Sequence, residues 1–151
     1  DSTQIPGEIL DIMGVNTQTL AENPELGKAL TGAWFEAMAI ISGDDEAARE
    51  AKQMMAEAAG TDMAGLQRQL DATHLFETPK AKADYLTSAQ LEKTMTFVSE
   101  FSFEHGLLGE GAPSAGAVGI ELPNGSILGN PDFVRMRFNH EFLEMAVEGE
   151  L

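Results

Sequence analysis

Cysteine is missing altogether from these 151 residues. No disulfide can staple the fold, and no thiolate can serve as nucleophile or metal ligand. That absence does not fix a compartment. Positive charge is scarce: 9 Lys and Arg stand against 25 Asp and Glu, for a formal net charge of −16. Phosphate recognition needs clustered cations, and here the cations are scattered, so nucleic acid is set aside as a partner. An anionic membrane surface would repel the chain as well. No apolar run approaches the roughly 20 residues of a membrane span, which excludes direct insertion by a single helix. The chain also begins at Asp1 with neither Met nor a signal-peptide pattern. A signal already removed and a start that is not the natural one are both compatible with this.

What is present suits a globular protein. Apolar residues make up 43% of the chain, and a chain of this length buries about 68–70% of its unfolded surface. One domain is the natural expectation. Residues Asp1–Glu8 (DSTQIPGE) are polar and turn-rich. Ile9–Val15 (ILDIMGV) is a mostly apolar run that reads as a buried strand. Such a strand needs neighbours on both sides, and few candidates follow it.

Helices come next. Asn23-Pro24-Glu25 is a strong helix start, with a cap, a proline suited to the first turn and an acid at the positive end of the dipole. Leu26, Leu30, Ala33, Trp34, Ala37, Met38 and Ile41 then recur at helical spacing, and Ser42-Gly43 ends the run. Asp44 to Ala59 predicts a second helix closed by Gly60. Thr61 is placed to cap a third, bearing Met63, Leu66 and Leu70. After the short extended stretch His74-Leu75-Phe76, Thr78-Pro79 opens another helix. Thr87-Ser88-Ala89-Gln90 has the form of a capping box before a long helix with Leu91, Met95, Val98, Phe101 and His105, ended by Gly106.

The last third has strand character. Ala117–Leu122 and Ser126–Leu128 flank Pro123-Asn124-Gly125, and Asn-Gly is the strongest short hairpin signal. In Phe133–Phe138 the side chains of Val134, Met136 and Phe138 alternate with Arg135 and Arg137. Asn139 is placed to cap a final helix carrying Phe142, Leu143 and Met145.

Chemistry-bearing patterns are few. His74, His105 and His140 have no i, i+4 pairing of the kind metal sites favour. A nucleophile elbow, a phosphate loop and a dinucleotide fingerprint are all lacking. The glycines Gly106, Gly109, Gly111 and Gly116 follow a helix rather than precede one, the reverse of a phosphate cradle. Asp44-Asp45-Glu46 is a helix start, not the alternating acids of a calcium loop. No metal or cofactor is expected, and no enzymatic activity. Trp34, the single Trp, is either a core residue or the wall of a ligand cleft. The eight Met residues fall at helical spacing, which favours core over an adaptable binding surface.

Taken in order, the segments Asp1–Met38, Thr73–Tyr85 (THLFETPKAKADY), Phe97–Leu108 (FVSEFSFEHGLL) and Ala117–Gly129 (AVGIELPNGSILG), with the closing helix, resemble the C-terminal part of ABC-transporter substrate-binding proteins of the nitrate/sulfonate/taurine/urea class. The resemblance covers nearly the whole chain. Each motif is weak alone; their order carries the likeness. It implies an α/β, periplasmic-binding-protein-like fold in which this segment is helix-dominated with a few strands, including a hairpin near residues 117–128. Residues 1–8 would form a hinge. Residues 9–151 would supply the return strand and the C-terminal helices and hairpin of the first of two lobes.

The implied function is capture of a small polar solute of the nitrate, sulfonate or urea type and its delivery to an ABC permease in the periplasm. Gln4, Gly7 and Glu8 at the hinge and Trp34 on the first helix would touch the solute. Glu8 and the acidic balance favour a neutral solute such as urea. The rest of the first lobe and all of the second would lie upstream, so the segment alone should expose an apolar face, and the chain is expected to be a truncated product, one piece of a cleaved protein, or a homodimer that covers that face. The alternative is a freestanding acidic helical module that binds another protein. A third reading, an enzyme akin to the pyrimidine-precursor synthases and thiamin-degrading enzymes of related fold, lacks a nucleophile.

Overall fold

The computed structural model describes residues 9–151. Seven α-helices and a small three-stranded mixed sheet are formed among them: α1 (Thr17–Glu22), α2 (Pro24–Ile41), α3 (Glu46–Ala58), α4 (Met63–Asp71), α5 (Pro79–Leu86), α6 (Ala89–Glu104), β1 (Gly119–Glu121), β2 (Ile127–Leu128), β3 (Val134–Arg137) and α7 (Glu141–Glu148). The architecture is helix-dominated with a minor β component, a mixed α/β composition. The described residues fall into two compact units, one comprising residues 9–12 and 83–141, the other residues 13–82 and 142–151.

Helix boundaries follow from local capping. Asp45 accepts from the Ala48 amide at 2.8 Å and starts α3. Asp62, not Thr61, caps α4 by accepting from the Gly65 amide at 2.7 Å. Carboxylates are favoured there because they meet both the free amides and the positive end of the dipole. Asn23 does precede α2, but its side chain faces backward. Its Nδ2 donates to the Thr19 carbonyl at 3.1 Å, because α1, a helix not foreseen from the sequence, ends there. The capping box is also displaced. Ser88 rather than Thr87 caps α6, accepting from the Gln90 amide at 3.3 Å, so Gln90 lies one position too early for the reciprocal bond.

The strand expected over Ile9–Val15 is not formed. Residues 9–16 have no ladder partner, and Ile9, Ile12 and Met13 are 65%, 57% and 50% exposed. An apolar segment becomes a strand only when another strand satisfies its backbone groups, and the described sheet offers none beside it. Leu10 alone packs against a core cluster.

In the sheet-bearing unit the strand order is β2-β1-β3. β1 and β2 pair antiparallel, with Ile120 opposite Leu128. Their loop is Pro123-Asn124-Gly125. The Gly125 amide donates to the Leu122 carbonyl and the Leu122 amide to the Ser126 carbonyl, both at 2.9 Å. Asn124 stays at negative φ and Gly125 takes φ +80°, so the turn is a three-residue loop ending in a left-handed glycine. β3 returns on the other side of β1 and runs parallel to it, with a register irregularity between Gly119 and Ile120. The expected alternation holds: Val134 and Met136 are half-buried while Arg135 and Arg137 are exposed. Leu91, Met95, Ile120 and Leu122 form the buried cluster, with Val98, Met136 and Phe138 packed against it.

In the helical unit α1 packs on α2, α2 on α3, and α3 on α4. Met38, Ala48, Ala56, Leu66, Phe142 and Leu143 are buried. Small residues let the helices come close. At Gly27 a Cβ would run into the Phe142 ring, so the α2–α7 contact depends on a missing side chain.

Candidate functional site

Of the four residues expected to touch a solute, Gln4, Gly7 and Glu8 lie outside the described residues. Trp34 lies on α2. The buried side of that helix runs through Gly27, Thr31, Phe35 and Met38, and Trp34 sits beside it at 43% exposure. Its indole is therefore no core residue. The apolar run read from the sequence took Ala33, Trp34 and Ala37 into the buried face, but all three are exposed, while Phe35, outside that run, is half-buried.

The indole has one charged neighbour. Lys82 of α5 holds its Nζ 5.4 Å from the ring centroid, within the range of cation–π attraction. The ammonium is half-buried, and the loss of water pushes its pKa below the usual lysine value. Among the described residues no carboxylate lies within ion-pairing distance of it. In a chain with 25 acids that is a notable local balance: Lys28 pairs with Glu25 at 2.8 Å, Arg49 with Glu46 at 3.2 Å and Arg137 with Glu121 at 3.1 Å. No sequence motif marks Lys82. Its meeting with Trp34 spans two helices separated by two others in the chain.

Two surface depressions lie in the sheet-bearing unit. The larger, of about 450 Å³, runs along α6 past Glu92, Lys93, Thr96, Phe97 and Glu100. It adjoins an exposed aromatic row in which Phe97 and Phe101 rings are 6.2 Å apart and Phe101 stacks on His105 at 3.9 Å. The smaller, of about 280 Å³, lies at the hairpin end by Glu121, Arg137, Asn139, His140 and Glu141. Register creates its ion pair, since Glu121 and Arg137 are direct partners on β1 and β3. Both depressions are open and shallow.

The histidines are engaged separately. His105 holds the Phe101 carbonyl through Nδ1 at 2.9 Å. His74 meets Phe76 edge-to-face at 5.2 Å. Among the described residues no three His, Asp or Glu side chains gather as a metal site would require, and no helix is long and apolar enough to cross a membrane. No protein family, curated protein or solved structure matches this chain.

Proposed function

We propose that this chain is the return segment and C-terminal first-lobe portion of a periplasmic solute-binding protein that delivers a small polar solute, of the nitrate, sulfonate or urea type, to an ABC permease. The observation that carries the reading is the bare apolar segment at residues 9–13. Ile9, Ile12 and Met13 have the composition of a strand and stand exposed, with no strand paired to them among the described residues. Such a segment is stable in water when further strands cover it, as the sheet of a complete first lobe would. The order of segments along the chain gives the reading its family. The mixed helix and strand composition is compatible with it. Trp34 would be a wall of the solute cleft, and capture would proceed by hinge closure without chemistry on the ligand.

The test is the DNA upstream of the Asp1 codon, followed by solute titration of the protein encoded by the whole frame. Further strand–helix units behind an export signal, and saturable binding of nitrate, taurine or urea, are the expected results. A start codon immediately before Asp1, or a folded full-frame product that binds none of these solutes, would overturn the reading.

One observation favours the interaction-module alternative. Phe97 and Phe101 on α6 are each 45% exposed, a surface that suits a partner helix. Partner capture by this chain alone, lost on Phe97→Ser with Phe101→Ser, would support it over solute capture.

A further inference from the structure

We infer that Lys82 is a specificity-determining residue which, with Trp34, selects the anionic head group of a small solute such as a carboxylate or sulfonate. The inference deepens the solute-capture reading and rests on it for its biological role; the subsite itself is a local property of α2 and α5. The net charge of the chain argues for a neutral solute, but recognition is set by the groups that face the ligand. Here the facing groups are an exposed indole and a half-buried ammonium 5.4 Å from its ring centroid.

Three features converge. First, the ammonium has lost part of its hydration without gaining a carboxylate among the described residues. A charge held that way is stabilised by any anion that reaches it, and more strongly than in open water. Second, the cation–π contact holds the lysine stem near the indole, so less side-chain freedom is lost on binding. Third, the indole beside the cation is 43% exposed and so offers apolar surface to a ligand. That pairing fits a solute with a compact charged end and a short apolar body. A neutral amide could hydrogen-bond to Lys82 but would leave its charge unpaired, and a cation would be repelled.

Trp34 is the single Trp in the chain, so tryptophan emission reports this place alone. The test titrates the full chain at constant ionic strength with methanesulfonate and with dimethyl sulfone, its neutral near-isostere. A saturable emission change with methanesulfonate only is expected. Lys82→Met, which keeps the apolar stem, should weaken it about tenfold or more, the order of a lost charge-assisted hydrogen bond. Lys82→Arg should retain much of it. Equal responses to the two probes, an unchanged response in Lys82→Met, or no saturable response from the folded chain would each overturn the inference. Failure of the broader reading looks different. Saturable urea binding by the full-frame protein, indifferent to Lys82→Met, would remove the anion subsite and leave solute capture standing. A full-frame protein that binds none of nitrate, taurine and urea would remove solute capture even if methanesulfonate still reached Trp34.

Discussion

Leu91, Met95, Ile120 and Leu122 close the interior of the sheet-bearing unit, whereas the helical unit buries Gly27, Ala48, Ala56 and Gly65 beside Met38, Leu66, Phe142 and Leu143. The first unit joins elements far apart in sequence through long side chains. The second mixes large and small buried residues, and α2 meets α7 over Gly27. The same hydrophobic driving force thus meets two geometries. A sheet packs against a helix at a distance that large side chains must span. Helices in sequence order can instead approach over small residues. Removal of atoms therefore tests the first interior at Leu91, and addition tests the α2–α7 contact of the second at Gly27.

The largest effect is expected where removal leaves a hole. Leu91 is 1% exposed, and Leu91→Ala should cost about 2–5 kcal/mol, read as a lower midpoint in urea unfolding. Addition is the complementary test. Gly27→Ala drives a methyl group into the Phe142 ring and should cost about 1–3 kcal/mol, with recovery in the double variant carrying Phe142→Leu. Gly32 in the same helix is the control: its added Cβ would meet only Leu151, at 3.9 Å. Gly32→Ala should then be stabilising by up to about 1 kcal/mol through helix propensity alone. A destabilised Gly32→Ala would mean that α2 is sensitive to any Cβ, and the contrast between the units would dissolve.

Smaller effects probe edges rather than interiors. Asp45→Ala removes the cap of α3 and should cost about 1 kcal/mol, with fraying read by amide hydrogen exchange in the first turn. Lys82 gives a pH signature. Burial lowers its folded pKa below the ordinary 10.5, so the protonated amine opposes folding. The unfolded chain holds more protons between the lowered value and 10.5, and stability from this group must rise with pH across that window. Lys82→Met should flatten the rise, measured as the difference between the two stability–pH curves. A steeper rise in the variant would sink the assignment. The smallest change is Glu121→Gln, which removes an exposed pair with Arg137 and should cost less than about 1 kcal/mol, less still in salt.

Much of this is legible in the sequence. Pro24, Asp45, Gly60, Gly106 and the alternation of Val134, Met136 and Phe138 each act over a few residues, and the helices and strand they predict are present. What misled was local grammar with more than one reading. Asn23 could cap forward or close backward, and α1 decided it. The apolar run from Ile9 had strand composition but no strand to pair with among the described residues. The candidate site was half legible: Trp34 stood out as a lone indole, while Lys82 carried no pattern at all.

Sequence by itself determined the helix-rich, cysteine-free and strongly acidic character of the chain, because composition, caps and periodicity act through the nearest few residues. Only the tertiary structure decided that β3 lies parallel beside β1, that Trp34 is exposed, and that the Lys82 ammonium rests near its ring. Those outcomes depend on which distant segments meet, and no single stretch of sequence encodes a meeting between two.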